Sequence, residues 1–356
     1  MFLVFLGTVT AVLCLRGWAH RIGLVDRPSS RKTHKGHIPL IGGLGIAAGF
    51  VSAALLSDRF GAQLAPLLAV TLLIVATGVV DDLRSIPALP RLLCQIAAAL
   101  LMVMWAGLVL TDFGDLWGDG DVGLGNWAVP FTVFCVVGVM NAMNLIDGMD
   151  GLAGGLAAIA LLWLCLGAQA AGLDRTAELA FPLVAAVAGF LLFNLPLPWR
   201  RRATVFLGDA GSLLLGLLLA WCSVDLSQNS LGKFYPISAV WILGVPIMDT
   251  VYIMLRRLVR GNSPFHGDRR HIHHTLVYMG LSESQTLAVL LSTSAVFGAI
   301  GYFGWYFSVP QYVLSYGFVG GFALYCLFMQ NWKVMLPRFA ARSLPAEAPK
   351  SNVDVV

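Results

Sequence analysis

Apolar runs long enough to cross a ~30 Å hydrocarbon layer as helix, roughly 17 to 25 residues, recur along the whole of this 356-residue chain. Eleven are read, near residues 1–20, 39–57, 64–80, 92–111, 127–143, 152–171, 179–195, 211–224, 237–255, 285–307 and 311–330. The run at 211–224 is short and must borrow flanking residues to cross. The expected fold is therefore all-α, a polytopic transmembrane bundle of about 11 helices. Composition excludes a soluble domain: 58% of residues are hydrophobic, only 12% are charged, and the mean hydropathy is +0.79. Residues 1–330 read as one integral-membrane catalytic domain. Residues 331–356, with Pro337, Pro345 and Pro349, read as a partly disordered cytosolic tail with no catalytic part.

The first run has no basic residue before Arg16 and no small-x-small cleavage pattern, so it is read as a retained helix and not a secretory signal. All six cysteines fall inside apolar runs without CxxC spacing, which makes them packing residues and not disulfides or metal ligands. GLGIAA at 43–48 superficially matches a dinucleotide-binding pattern. No strand precedes it and it lies inside an apolar run, so it is read as small-residue helix packing.

Charge orients the expected bundle. With the N-terminus outside, the inner loops collect six Lys or Arg before the second run, Arg84 and Arg91, three at Arg200 to Arg202, five between Arg256 and Arg270, and four in the tail. Only Arg59, Arg175 and Lys233 fall outside, where the stretch from Asp112 to Asp121 holds four acids and no base. The positive-inside bias thus places the N-terminus outside and the C-terminus in the cytosol. The net charge of +4 carries no nucleic-acid signature.

Five polar segments then fall on the cytosolic side: RKTHKG (31–36), DDLRS (81–85), NAMNLIDGMDGLAGG (141–155), FLGDAGS (206–212) and SPFHGDRRHIHH (263–274). Their convergence predicts one site at the membrane surface, with carboxylates at helix ends where a water-soluble ligand meets them. Asp81 and Asp82 repel each other unless a metal or a cationic group stands between them; plain helix-end charges facing water are the alternative. Mg²⁺ suits hard oxygen ligands and borrows phosphate oxygens from a substrate. Asn141, Asn144, Asp147 and Asp150 recur every three residues, which on an unbroken helix turns the first and last to opposite faces. Unwinding at Gly148 and Gly151 lets Asn144, Asp147 and Asp150 converge; caps for the fifth and sixth helices are the competing reading. Asp209 lies between two glycines at a helix start, where free N–H groups attract a phosphate. The Arg and His residues of 263–274 fit a diphosphate better than zinc, since no cysteine is near. Asp249 is read as a packed, hydrogen-bonded residue.

In these segments, from RKTHKGHIPLIGG through HIHH, the sequence resembles the polyprenyl-phosphate N-acetylhexosamine-1-phosphate transferases of glycosyltransferase family 4, specifically the WecA/TagO branch that initiates O-antigen, common-antigen and teichoic-acid chains. About two thirds of the chain is covered by these ordered motifs. The resemblance implies transfer of GlcNAc-1-phosphate from UDP-GlcNAc to undecaprenyl phosphate in the bacterial cytoplasmic (inner) membrane, with release of UMP. It implies Mg²⁺ as cofactor, with Mn²⁺ as a substitute, and a homodimer. Among the residues, it implies Asp209 and Asp82 as metal ligands and Asp81, Asp82, Asp147, Asp150 and His271 as catalytic. Asn144, Arg269, His273, His274, Lys32 and His34 are implied to bind substrate. Related phospho-MurNAc-pentapeptide transferases carry Lys where this chain has Ser85 and lack the DRRHIHH form, so both departures point away from the pentapeptide substrate. Another UDP-N-acetyl sugar remains an alternative donor. Direct attack by the lipid phosphate and a covalent phospho-Asp route through Asp147 or Asp81 both stay open. A lipid or nucleotide-sugar transporter is the reading from a different class; it would place polar residues at the bilayer midplane, often in repeats, and no internal repeat is found.

Overall fold

The computed structural model describes residues 1–27, 36–56, 61–197, 199–200, 202–229, 234–261 and 271–335, with side chains to residue 332. Among these, α1 (Phe2–Ile22), α2 (Gly42–Leu55), α3 (Leu64–Arg84), α4 (Ala88–Ala106), α5 (Ala128–Ile146), α6 (Leu152–Ala170) and α7 (Asp174–Asn194) precede α8 (Gly208–Asn229). Then come α9 (Pro236–Ile242), α10 (Gly244–Val259), α11 (Ile272–Tyr278), α12 (Glu283–Tyr306) and α13 (Gln311–Met335). A two-residue antiparallel pair, β1 (Val25–Asp26) with β2 (Ile38–Pro39), links α1 to α2.

Nine helices among the described residues are long and apolar enough to cross a membrane. The other two expected crossings take different forms. The run at 39–57 yields α2, whose 14 residues reach about 21 Å at 1.5 Å per residue. The run at 237–255 yields α9 and α10, which meet at Leu243 with a bend of 83°. Apolar runs reveal length but not a break, since Leu243 is as apolar as its neighbours. Helix α13 continues to Met335, past the expected domain boundary at residue 330.

α8 is the hub. Its sequence is apolar on every side, and nearly all of it from Gly208 to Leu226 is buried inside the protein, which is what a helix without a polar face requires. Its length, Gly208–Asn229, shows that it does borrow residues on both sides of 211–224. Glycines bring its neighbours close: a Cβ on Gly216 would strike the backbone of Met140 in α5. In α2, Gly42 abuts Phe190, Gly43 abuts Gly211, and Gly45 and Gly49 lie against Val12 and Thr8 of α1, so GLGIAA is a helix-packing surface. All six cysteines are free, with Cys165 and Cys222 buried.

The end of the bundle away from the polar segments has its own polar lock. Asp225, 2% exposed, accepts hydrogen bonds from Thr176 Oγ1 and from Asn229 Nδ2 (3.0 Å), and Arg175 Nη2 stands 3.6 Å away. Arg175 is therefore paired at that end, as is Gln228, whose Oε1 accepts from the Thr111 amide at 2.9 Å.

Candidate active site

The FLGDAGS segment is set by backbone pairing. The amides of Gly42 and Gly43 donate to the carbonyls of Phe206 (2.9 Å) and Leu207 (3.0 Å), and the Phe206 amide donates to Pro39 O (2.9 Å). Gly208 then turns with φ +74°, and a Cβ there would meet the Asp82 carboxylate at 2.6 Å, so both its conformation and its surroundings demand glycine. Asp82 Oδ1 accepts from the Asp209 amide at 3.0 Å and its Oδ2 from the Ala210 amide at 3.4 Å. The free N–H groups of the helix start, expected to face a phosphate, are thus taken by a carboxylate tethered on α3. Any anion satisfies that dipole, and Asp82 is held beside it.

Asp81, one residue earlier on α3, also adjoins the Asp209 carboxyl. Its Oδ1 accepts from the Ile86 amide at 2.9 Å and its Oδ2 from Arg91 Nη1 at 2.7 Å. Of the two companions left open by the sequence, a metal or a cationic group, Asp81 has the guanidinium of Arg91.

The 141–155 segment is broken where its spacing required. α5 stops at Ile146, Asp147 follows as its C-cap, and Gly151 has φ +79° before α6. No side chain caps α6, so the capping alternative does not describe these aspartates. Asn141 Nδ2 turns to Gln95 Oε1 on α4 at 2.7 Å. Asn144 Nδ2 donates to Asp209 Oδ1 at 2.7 Å and to Ser212 Oγ at 2.9 Å. Asp150 Oδ2 accepts from the Ala203 amide at 2.8 Å, which commits one of its oxygens to the 196–203 connection. Asp147 lies near both Asp209 and Asp150; burial first, then these two negative neighbours, push its carboxyl up to about 7.

The histidines join through Gly148. A Cβ at Gly148 would collide with His273 Nε2, so the His273 ring rests on the unwound segment. His273 is buried and neither ring nitrogen has a hydrogen-bond partner among the described residues; burial, then the nearby His274 and His271, lower its pKa to about 3. His271 stacks on it with ring planes 9° apart and centroids 5.9 Å apart, and the His274 ring centroid is 4.2 Å from that of His273. Lys32, His34 and Arg269, with His266, Asp268 and Arg270, lie outside the described residues.

Asp81, Asp82, Asn144, Asp147, Asp209 and the histidines therefore form one polar region at one end of the bundle. Sequence reasoning missed Ser212 and Asn194. The Asn194 side chain accepts from the Gly151 amide at 2.8 Å and donates to Val205 O at 3.0 Å, tying the Asp147 segment to the Asp209 segment. The only signal for Asn194 was a lone amide at the end of an apolar run. Among the described residues no three Asp, Glu, His or Cys side chains enclose a metal by themselves. Carboxylate oxygens are the donor type that suits a hard cation such as Mg²⁺, which keeps waters and takes further oxygens from its substrate.

A multi-pass membrane bundle closed at one end by carboxylates and histidines is the class this architecture defines. Residues 64–227 match the family described as Glycosyl transferase family 4. The undecaprenyl-phosphate alpha-N-acetylglucosaminyl 1-phosphate transferase of Salmonella typhi is 35% identical over 333 residues, 93% of this chain and 90% of the relative. Relatives with the same name from Haemophilus influenzae, 34% identical over 94% of each chain, and Yersinia pestis, 33% identical over 98% of this chain and 96% of the relative, are also similar. The chain belongs to glycosyl transferase family 4.

Proposed function

We propose that the chain transfers GlcNAc-1-phosphate from UDP-GlcNAc to undecaprenyl phosphate, giving undecaprenyl-diphospho-GlcNAc and UMP, as the first step of a cell-surface polysaccharide. The observation that carries this reading is the meeting of Asp82, Asp147 and Asp209, from three separate helix ends, beside the histidine segment. The relatives' shared name supplies the sugar and the lipid. The cytosolic placement in the bacterial inner membrane rests on the positive-inside count, and on the solubility of a nucleotide sugar.

An oxygen of the lipid phosphate attacks the sugar-bearing phosphorus of the donor, and the bond from that phosphorus to the bridging oxygen breaks, with the electron pair leaving on UMP. The C1–O bond of the sugar is untouched, so its anomeric configuration is retained. The acceptor monoester, with second pKa near ~6, is already mostly dianionic at pH 7 and needs little help from a base. Repulsion between anions is the obstacle. Mg²⁺ held by Asp209, with Asp147 and Asp82 beside it, supplies charge neutralisation when bound. Asn144 fixes the Asp209 carboxylate by its 2.7 Å hydrogen bond, so the negative charge stays where it is needed. The histidine row lies next to that charge, with His271 Nε2 left for a phosphate oxygen.

Purified protein given UDP-GlcNAc, undecaprenyl phosphate and Mg²⁺ is expected to release UMP only when the lipid is present, and not in EDTA. Turnover with a different UDP-sugar alone would change the donor. Silence with every donor would overturn the reading in favour of transport.

The raised carboxyl of Asp147 gives a second expectation. An acid whose folded pKa is about 7 against an ordinary value near 3.8 favours the folded state below the lower value, and loses that contribution as pH rises through 7. The metal-free protein should therefore lose thermal stability between about pH 4 and pH 7. Added Mg²⁺ should raise the unfolding temperature more at pH 8 than at pH 6, because at pH 6 it must first displace a proton. An Asp147→Asn variant should show a smaller difference, the remainder coming from the other carboxylates crowded beside it; equal Mg²⁺ shifts at both pH values in the wild type would refute the assignment.

A further inference from the structure

Asp249 is 1% exposed within α10, six residues beyond the 83° bend at Leu243, yet it is fully engaged. Its Oδ2 meets His271 Nδ1 at 2.7 Å. Its Oδ1 accepts from the Ile272 amide at 2.9 Å and from Tyr325 Oη at 2.8 Å. One carboxylate thus holds the ring of His271, the first backbone amide of α11 and a hydroxyl from α13. Tyr325 is itself fixed by an edge-on contact with Tyr252, 5.8 Å between centroids and 86° between planes. A buried acid of this kind costs stability unless its partners are worth keeping, and here two of the three lie in the HIHH segment.

We propose that Asp249 and Tyr325 are positioning residues for the transfer reaction, acting through His271, a role that rests on the function proposed above. A carboxylate only accepts, so His271 Nδ1 carries a proton whatever the charge of the ring, and Nε2 alone is left to meet a ligand. The Ile272 bond fixes the backbone beside that ring, so ring and α11 are held by the same group. His271 stacks on His273, and His273 rests on Gly148, one residue from Asp147. The clamp therefore sets the height of the whole histidine row against the carboxylates. It also brings α13, well beyond the 64–227 segment that matches the family, into the geometry of the site.

Asp249→Asn separates positioning from packing because it keeps the shape and inverts one polarity. The amide oxygen must still accept from the Ile272 amide and Tyr325, which turns the NH₂ toward His271 Nδ1 and forces the proton to Nε2. With ¹⁵N-labelled histidine in detergent or nanodiscs, the His271 resonances, identified by their loss in His271→Ala, are expected to exchange protonated and unprotonated ring positions. UMP release is expected to fall at least about tenfold, the scale seen for carboxylates that orient functional histidines. In a His271→Ala background the same substitution should cost less than about twofold. Tyr325→Phe removes one hydrogen bond only and should lower the rate about threefold, again only when His271 is present. If Asp249→Asn does not fold, Tyr325→Phe in the two backgrounds decides the matter. An unchanged His271 ring signature, or equal losses with and without His271, overturns the proposal. A wild-type protein inactive with every donor would refute the enzymatic reading instead, while the ring signature would still report the clamp.

Discussion

Asp209→Asn is expected to leave the fold intact and to reduce UMP release on the order of 10³-fold or more, since it removes the charge that neutralises a donor diphosphate. The substitution is nearly isosteric. Asn144 Nδ2 can still donate to the remaining carbonyl oxygen at the 2.7 Å position, and the helix start stays closed by Asp82 through the amides of residues 209 and 210. What disappears is one negative charge in a region where Asp147 and Asp82 are already crowded. Asp81 should behave differently because each of its oxygens has a further partner. Asp81 is bonded to Arg91 and the Ile86 amide as well as adjoining Asp209, so Asp81→Asn should also loosen the join between α3 and α4 and lower the unfolding temperature. Initial rates with saturating UDP-GlcNAc and undecaprenyl phosphate, beside thermal unfolding of each variant, separate these outcomes. A loss below tenfold for Asp209→Asn at unchanged stability would move the metal role to another carboxylate.

Much of this arrangement was legible in the chain because lipid permits few solutions. Apolar length gave the positions of the helices, and the three-residue spacing of Asn141, Asn144, Asp147 and Asp150 required a break that the structure places between Ile146 and Leu152. What stayed hidden was tertiary. That Asp82 would close the start of α8 depends on α3 passing beside it, a fact carried by Gly78 and Ala210 touching and by no local pattern. Arg91, the partner of Asp81, lies in the first turn of α4, across the break between α3 and α4. Asp249 could be read as buried and hydrogen-bonded, but its partners are 22 and 76 residues away, beyond any spacing rule. The bend at Leu243 leaves no mark in hydropathy because both of its arms remain apolar.

Gly43→Ala and Gly78→Ala test the part that sequence did not disclose, and each is expected to damage both stability and rate. The first turn of α8 is gripped from two sides. A Cβ at Gly43 on α2 would overlap the backbone N and Cα of Gly211, and one at Gly78 on α3 would overlap the backbone N and Cα of Ala210. These are contacts of backbone on backbone, so no rotamer change relieves them, and the helix itself must move. Overpacking of this kind costs about 1–3 kcal/mol. The larger consequence is geometric. Asp209 lies in the turn that must shift, and displacing a charged group by about 1 Å from its working position lowers rates by roughly 10². Gly320→Ala on α13 is the control: nothing lies within 4 Å of its Cβ position, so the methyl has room and should leave the rate unchanged while slightly favouring the helix. Unfolding temperatures and UMP release measured on all three variants decide the point. A Gly43→Ala or Gly78→Ala protein with the wild-type rate would mean that the start of α8 tolerates displacement, and that the position of Asp209 is not what the close packing of α2 and α3 protects.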